Sequence, residues 1–228
     1  MLRVAMAPTS LTIDVFSDIV CPWCYIGSTR LTQAIQGLEG VVQAEVCYHP
    51  FLLDPTVSRS GASIADKLRK KHGVEPKQLW GRVEAAARDS GLELDLSRQQ
   101  LMYPTDAAHT LLRHAHDRDT QPALAQALFK TYFVDAENIS DVEVLARVAV
   151  DHGFSWSEAE ELASCPAELE LTREEAQASV ACGIRGVPFY IFAGKLAVSG
   201  AQSVSVLQSA IRQALLHPVE SEPPPPPV

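Results

Sequence analysis

The sequence has few cysteines for its length, no block of basic residues and no apolar run long enough to cross a membrane. Five cysteines among 228 residues do not make the disulfide scaffold of a small secreted domain. A net charge of −9, from 28 acidic and 19 basic residues, disfavours nucleic acid or an anionic membrane as partner. The residues before the first predicted strand are too few for a secretory leader. We therefore expect a cytoplasmic protein that binds neither nucleic acid nor membranes.

Hydrophobic residues make up 46% of the chain, which is enough for a full core and argues against global disorder. A chain of 228 residues can form one large domain or a small domain with an insertion. Five consecutive prolines, Pro223–Pro227, lie near its end. Such a segment is extended and does not pack into a core. We therefore predict a disordered, proline-rich tail at residues 218–228.

Two of the cysteines form the motif Cys21-Pro22-Trp23-Cys24, between a predicted strand and a predicted helix. The strand is indicated by the alternating β-branched and aromatic run Thr12–Phe16. Apolar residues at helical spacing follow the motif, and Pro22 suits the first helical position. Unpaired N–H groups at a helix start stabilise a thiolate. This pattern predicts a redox dithiol in which an exposed, acidic Cys21 attacks and a more buried Cys24 resolves.

Two other interpretations of the cysteine pair lead to different functions. The two residues could be structural cysteines that are close only in sequence, but the strand, the motif and the helix agree on a redox site. A zinc site normally needs four ligands, often from a second CxxC or a histidine pair. The remaining cysteines, Cys47, Cys165 and Cys182, are single, so we predict no metal site. An iron–sulfur cluster is disfavoured by the same lack of spacing.

The order of the predicted elements indicates an α/β protein with an insertion. Strand, helix and strand come first, a long helical block follows, and strand, strand and helix end the pattern. This order predicts a small sheet domain, residues 10–57 plus 183–217, interrupted by an inserted all-α helical domain, residues 58–182.

Local patterns give more detail. A hairpin is predicted from Phe189 to Val198, and Ser203 is expected to cap the final helix. Inside the insertion, Ser140 and Ser155 each begin a capping-box pattern, and one helix is predicted from Pro166 to Ala181.

Several segments, spread over most of the chain, resemble the DsbA family of thioredoxin-fold proteins. They are Phe16–Gly27, Pro50–Pro55, Asp106–His109, and Gly183–Phe189 with Val198–Gln202. Within that family the chain is most similar to the FrnE-like branch of cytosolic thiol oxidoreductases. That branch is related to 2-hydroxychromene-2-carboxylate isomerases and kappa-class glutathione transferases. The resemblance implies a thioredoxin fold with a large helical insertion.

The resemblance also implies a site. Cys21 would be the nucleophile, and Cys24 would resolve the mixed disulfide. Val187–Pro188 would be a cis peptide bond facing the dithiol, whereas the two residues alone would indicate a trans proline that opens a strand. Val187 and Pro188 are candidate substrate-binding residues. Trp23 and His109 are further candidates, with plain packing as the alternative for each.

Two residues near these motifs receive structural interpretations. Asp18 lies three residues before Cys21 and is expected to be solvated or capping, with tuning of a thiol as the alternative. Cys182 lies close to the Val187–Pro188 segment and is expected to be a buried small hydrophobe, with a regulatory thiol as the alternative.

The expected function is that of a cytosolic thiol–disulfide oxidoreductase or disulfide isomerase without a tightly bound cofactor. Its partners would be disulfide-containing proteins or small thiols, with glutathione as a candidate reductant or co-substrate. The runner-up is a glutathione-dependent isomerase or transferase of a small aromatic substrate, in which relatives carry serine in place of Cys21. A binding module that uses the cleft and the proline run is a third possibility. The sequence leaves the direction of electron flow and the existence of a homodimer open.

Overall fold

The computed structural model describes residues 8–216, apart from the side chain of His72. The predicted tail at 218–228 lies outside the described residues. In chain order the elements are β1 (Thr9–Ser17), α1 (Pro22–Gln36), β2 (Val42–Pro50), β3 (Ala62–Ser63), α2 (Ile64–His72), α3 (Pro76–Arg88), β4 (Leu101–Met102), α4 (Asp106–His116), α5 (Gln121–Phe133), α6 (Val142–Val150), α7 (Trp156–Ser164), α8 (Pro166–Ala181), β5 (Phe189–Phe192), β6 (Leu196–Ser199) and α9 (Val204–Leu216). Within residues 8–216 we find no helix with both the length and the apolarity needed to cross a bilayer.

A four-stranded mixed sheet forms the centre of the fold, in the order β2-β1-β5-β6. β1 and β2 are parallel, with Thr9 opposite Val42 and Ser17 opposite Pro50. The crossover between them is α1, as parallel neighbours require. β5 runs antiparallel to β1, and β6 returns antiparallel to β5 as the predicted hairpin. This arrangement matches the thioredoxin fold that the sequence predicts.

The alternation of side chains along β1 explains where the core lies. Leu11, Ile13 and Val15 point to one face and are at most 4% exposed, because a strand turns successive side chains to opposite faces. Helix α9 packs on β1, β5 and β6, and α1 packs on α9. The other face of β1 and β2 carries polar and half-buried residues.

The insertion between β2 and β5 contains helices α2–α8 and the short antiparallel pair β3–β4. It shares one continuous hydrophobic cluster with the sheet, so the division at residues 58 and 182 stays a prediction. Gln121, at the start of α5, accepts from the N–H of Tyr48 at 2.8 Å and donates to its carbonyl at 3.1 Å. A side chain amide therefore covers the backbone of β2, which is an edge strand.

Most local predictions are confirmed, and one is wrong by a residue. The helix Pro166–Ala181, the capping box of Ser155 with Glu158 and the cap at Ser203 are all present. At the other predicted box the cap is Asp141, whose side chain accepts from the N–H of Glu143. Ser140 is instead held by the side chain of Asn138, so its hydroxyl is not available to the helix.

Candidate active site

Cys21 lies at the junction where β1 ends and α1 begins. It is the N-cap of α1, with extended backbone angles of φ −95° and ψ 111°, and Pro22 occupies the first turn. The first turn contains no acidic residue, so no side-chain charge opposes the positive end of the helix dipole there. The N–H groups of Cys24 and Tyr25 both point to the Cys21 carbonyl, at 3.0 and 3.2 Å. Local geometry thus places both sulfurs at the helix start, as predicted.

The two thiols differ in burial in the predicted order, but both are buried. Cys21 is 6% exposed and Cys24 is 1% exposed, so the expectation of an exposed Cys21 is wrong. The reason is the segment around Val187, which lies over the sulfur of Cys21. The Cys21 thiol points to the Val187 carbonyl at 3.9 Å.

Burial raises the pKa of Cys24 well above its usual value, and the adjoining Cys21 raises it further. The Asp18 backbone and the Ser17 side chain oppose that rise. Cys24 is therefore a protonated thiol at neutral pH, which suits a group that reacts second.

The predicted cis bond at Val187–Pro188 is present, and Val187 contacts the dithiol as expected. The carbonyl of Pro188 accepts from the N–H of Gly200 at 2.8 Å, which fixes this segment to the residue after β6. Gly27 on α1 makes the close approach possible. A Cβ at that position would lie 2.9 Å from Cγ of Pro188 and would overlap the Tyr190 hydroxyl.

Arg30 fixes α1 against its surroundings. Its guanidinium donates to the Ser90 hydroxyl at 2.8 Å, the Ala201 carbonyl at 2.8 Å and the Ala86 carbonyl at 3.1 Å. One side chain thus joins α1 to α3 and to the loop between β6 and α9, so the dithiol helix is held at its middle as well as at its start.

Asp18 is buried, with 1% exposure, which corrects the expectation of a solvated or capping loop residue. Its carboxylate accepts from the N–H of Val20 at 3.4 Å and from the N–H of Leu53 at 2.7 Å. His109, from α4, places Nε2 at 3.6 Å from Oδ1 of Asp18 and is 2% exposed. Asp18 therefore ties the loop before Cys21 to the segment after β2. His109 of the insertion lies beside the carboxylate without a hydrogen bond to it.

Three buried side-chain atoms have no hydrogen-bond partner among the described residues: Ser17 Oγ, His109 Nε2 and Tyr190 Oη. Ser17 is the last residue of β1, His109 lies in α4 and Tyr190 lies in β5. Burial, and then the charge of Cys24, raises the pKa of Tyr190 well above its usual value. Burial also raises the pKa of Tyr48 to about 12, although the Ser28 hydroxyl opposes this. Sequence reasoning missed Tyr190 and Tyr48, since an alternating strand gives no sign of what its inner face meets.

Two other residues that the sequence singled out, Trp23 and Cys182, are less buried than the dithiol. Trp23 is half-buried and packs against the core beside the dithiol. Leu53, whose N–H donates to Asp18, has a side chain that is 42% exposed. A cleft of about 300 Å³ continues from this segment, lined by Leu52, Asp54, Arg59, Asp106 and Arg173 among others. Cys182 is exposed, which corrects the expectation of a buried hydrophobe, because α8 ends there and turns outward into the loop before β5.

Comparison with known proteins finds one matching family and relatives that cover most of the chain. The family described as DSBA-like thioredoxin domain matches residues 12–212. An uncharacterized protein of Bacillus subtilis, YwbO, is 24% identical over 201 residues, covering 87% of this chain and 94% of its own length. A crystal structure of a probable DsbA oxidoreductase from Streptomyces coelicolor is 28% identical, with a TM-score of 0.83 and 93% of each chain covered.

Two more distant structures share the fold. A 2-hydroxychromene-2-carboxylate isomerase aligns with a TM-score of 0.66 and 18% identity, covering 90% of this chain and 96% of its own. The cytosolic disulfide reductase DsbM of Pseudomonas aeruginosa, solved with glutathione, aligns with a TM-score of 0.63 and 16% identity, covering 90% of this chain and 99% of its own. At these identities the likeness is one of fold.

Proposed function

Because the chain belongs to the DSBA-like thioredoxin domain family, we propose that it exchanges thiols and disulfides through Cys21 and Cys24, in the cytoplasm. The observation that carries the proposal is the sulfur of Cys21 at the start of α1, 3.9 Å from the Val187 carbonyl. The family, the thioredoxin fold and the oxidoreductase class predicted from the sequence are confirmed.

The first step uses the helix start. The Cys21 thiolate attacks one sulfur of a substrate disulfide, forms a mixed disulfide and releases the other sulfur as a thiolate. As the N-cap of α1, Cys21 presents its sulfur at the positive end of the helix dipole.

The second step uses the buried thiol. Cys24 loses its proton and attacks the sulfur of Cys21, which releases the second substrate thiolate and leaves a Cys21–Cys24 disulfide. Two electrons pass from the dithiol to the substrate. The raised pKa of Cys24 keeps this thiol protonated until the mixed disulfide has formed, so Cys21 reacts first.

Val187 supports binding of the substrate chain. It precedes β5, its carbonyl faces Cys21, and an extended peptide could pair with its backbone whatever the side chains are. Trp23 offers apolar surface between the two cysteines, and Leu53 offers exposed apolar surface next to Asp18. We assign Trp23, Val187 and Pro188 to this surface. His109 is nearly inaccessible, and we give it a positioning role through Asp18.

Glutathione is the proposed reductant. Two molecules would reduce the Cys21–Cys24 disulfide and leave as glutathione disulfide, which balances the two electrons. The cleft beside Leu52 is lined by Arg59, Arg173, Asp54 and Asp106. Because Arg173 is paired with Asp106, and Asp54 with Lys67, we assign Arg59 to a carboxylate of glutathione. The DsbM structure, solved with glutathione, supports a ligand of this kind in the same fold.

A paired assay tests the function. Wild-type protein and Cys24→Ala are compared for reduction of insulin by glutathione and for isomerisation of 2-hydroxychromene-2-carboxylate. We expect insulin turnover in the wild type and its loss in Cys24→Ala, because the mixed disulfide can no longer be resolved inside the protein.

The second candidate function, a glutathione-dependent isomerase, is favoured by the fold shared with the hydroxychromene-carboxylate isomerase. That reaction needs only one group to orient the glutathione sulfur. Isomerisation that survives in Cys24→Ala, with no insulin turnover in either protein, would overturn the oxidoreductase proposal and establish the second one.

A further inference from the structure

A second group of sulfur, nitrogen and oxygen ligands lies on the polar face of the sheet, away from the dithiol. Glu45 and Cys47 are two residues apart on β2, so the strand turns both side chains to the same face. That face is opposite to the one on which Tyr48 is buried. The alternation thus presents a carboxylate and a thiol side by side.

The third ligand comes from the end of α4. His116 is the last residue of that helix, and its Nδ1 lies 4.0 Å from the sulfur of Cys47. One ligand atom each from Glu45, Cys47 and His116 lie within 4.8 Å of one another. In a tetrahedral zinc site, with Zn–S near 2.3 Å and Zn–N near 2.0–2.1 Å, sulfur and nitrogen are about 3.5 Å apart. A closure of roughly half an ångström would therefore bring the sulfur and the nitrogen to zinc spacing.

The surroundings are open and negative. A cleft of about 320 Å³ adjoins the group, and its lining includes Cys47, His116, Asp14 and Asp117. Arg113 also lines the cleft, but its charge is matched by Glu168 at 3.2 Å and Glu175 at 2.9 Å. Ions can reach the group from solvent, since Glu45 and His116 are exposed and Cys47 is half-buried.

We propose that Glu45, Cys47 and His116 bind one Zn²⁺ ion, with water in the fourth position. Thiolate and imidazole are ligands that zinc prefers, and a carboxylate is accepted beside them. Binding releases the thiol proton of Cys47 to solvent. The thiolate and the carboxylate then balance the two positive charges of the ion, so the occupied site is neutral.

Nearby residues extend the site beyond its ligands. His49 lies on the same face of β2, two residues after Cys47, and its Nε2 is 2.8 Å from Oδ1 of Asp14. Asp14 is directly opposite Cys47 in the register of β1 and β2. The Asp14 carboxylate thus adds negative potential next to the metal without being needed as a ligand.

The experiment uses Co²⁺ as a spectroscopic substitute for Zn²⁺ on the full chain carrying Cys21→Ser and Cys24→Ser, which removes metal binding by the dithiol. We expect one Co²⁺ per chain, with a thiolate-to-cobalt charge-transfer band that stoichiometric Zn²⁺ abolishes. Adding Cys47→Ser should remove the band. Adding His116→Ala or Glu45→Gln should weaken binding at least about tenfold, as loss of even an outer partner does.

The matched control is Cys165→Ser in the same background. Cys165 is half-buried like Cys47, but within residues 8–216 it belongs to no group of three metal-ligating side chains. The band should be unchanged in this variant. Circular dichroism of each variant checks that the chain is folded.

A measurement on the wild-type chain tests the site without substituting a ligand, so misfolding of a variant cannot account for its result. In the wild-type chain with an oxidised dithiol, Zn²⁺ should slow alkylation of Cys47 by iodoacetamide, mapped by mass spectrometry, and leave Cys165 unaffected. Absence of the charge-transfer band, its survival in Cys47→Ser, or equal alkylation with and without Zn²⁺ would each overturn the zinc site.

Discussion

The dithiol and the Cys47 cleft place cysteine in opposite environments of one sheet. Cys21 and Cys24 are buried, at 6% and 1% exposure, beneath the Val187–Pro188 segment. Cys47 is half-buried beside an open, charged cleft and shares it with His116 and Glu45. Both thiols with a resolved shift, Cys24 and Cys47, have a raised pKa, with burial as the largest cause.

The difference shows how surroundings decide what a thiol does. At the dithiol, burial raises the pKa of Cys24, which suits the resolving role that we propose for this thiol. At the cleft, carboxylates and an imidazole are within reach of a single sulfur, which suits a cation. Predictions that change one region and leave the other intact test this contrast.

The largest expected effect is on turnover. Cys21→Ser should reduce glutathione-dependent insulin reduction to the background rate, because none of the other four cysteines, all within residues 8–216, lies at a helix start against Val187. Cys165→Ser should keep the wild-type rate. Insulin turbidity measures both, and substantial turnover in Cys21→Ser would show that a different thiol attacks.

Close packing under the dithiol should make Gly27→Ala destabilising. The new methyl group would meet Pro188 at 2.9 Å and overlap Tyr190, an overpacking that typically costs about 1–3 kcal/mol. Gly81→Ala, in α3 with no heavy atom within 4 Å of the added Cβ, should instead stabilise by about 1 kcal/mol through helix propensity. Urea unfolding compares the two variants, and equal effects would contradict the packing described at the dithiol.

Asp18→Asn should lower the stability of the fold, although the two side chains have nearly the same shape. Its two oxygens accept from Val20 and Leu53, and an amide group in place of Oδ2 would face the N–H of Leu53. A buried donor left without a partner costs about 1–3 kcal/mol. In Asp95→Asn, where the side chain accepts from Ser97 in an exposed turn, water can replace the bond and the loss should be smaller. Thermal unfolding of the reduced proteins measures both, and a neutral Asp18→Asn would rule out this role.

The smallest effect is a pH dependence of stability. The raised pKa of Cys24 means that the folded chain favours the neutral thiol. The resulting stabilisation is complete below the unfolded pKa, about 8.5, and is lost as the pH rises toward the folded pKa. In that window the reduced wild type should lose up to about 1.4 kcal/mol per pH unit relative to Cys24→Ala.

The cleft thiol provides the comparison for this measurement. Cys47 is less buried, and the same comparison with Cys47→Ala should give a shallower slope. Urea unfolding at about pH 7.5 and about pH 9.5 tests the order. A steeper loss of stability with pH for Cys47 than for Cys24 would contradict the assignment of Cys24 as the more deeply buried thiol.

The dithiol was predictable because its chemistry is contiguous in sequence. Strand, motif and helix start follow one another around Cys21, and the Val187–Pro188 pair was found through resemblance to a known family. The burial of Asp18 was not predictable, since it depends on Leu53 and His109, which reach it from other segments.

The Glu45, Cys47 and His116 group was missed for the same physical reason. The argument against zinc considered the spacing of cysteines along the chain, whereas this group combines a strand with a helix end 69 residues further on. The alternation of Glu45 and Cys47 on β2 was a usable signal, but only the packing of α4 shows that His116 joins them.

Treatment of the reduced full chain with oxidised glutathione, followed by mass-spectrometric mapping, tests the central claim most directly. The account predicts a Cys21–Cys24 disulfide in the wild type and glutathione attached to Cys21 in Cys24→Ser, since the attacking sulfur is then left unresolved. Glutathione found on Cys47, Cys165 or Cys182 while Cys21 remains unmodified would contradict it.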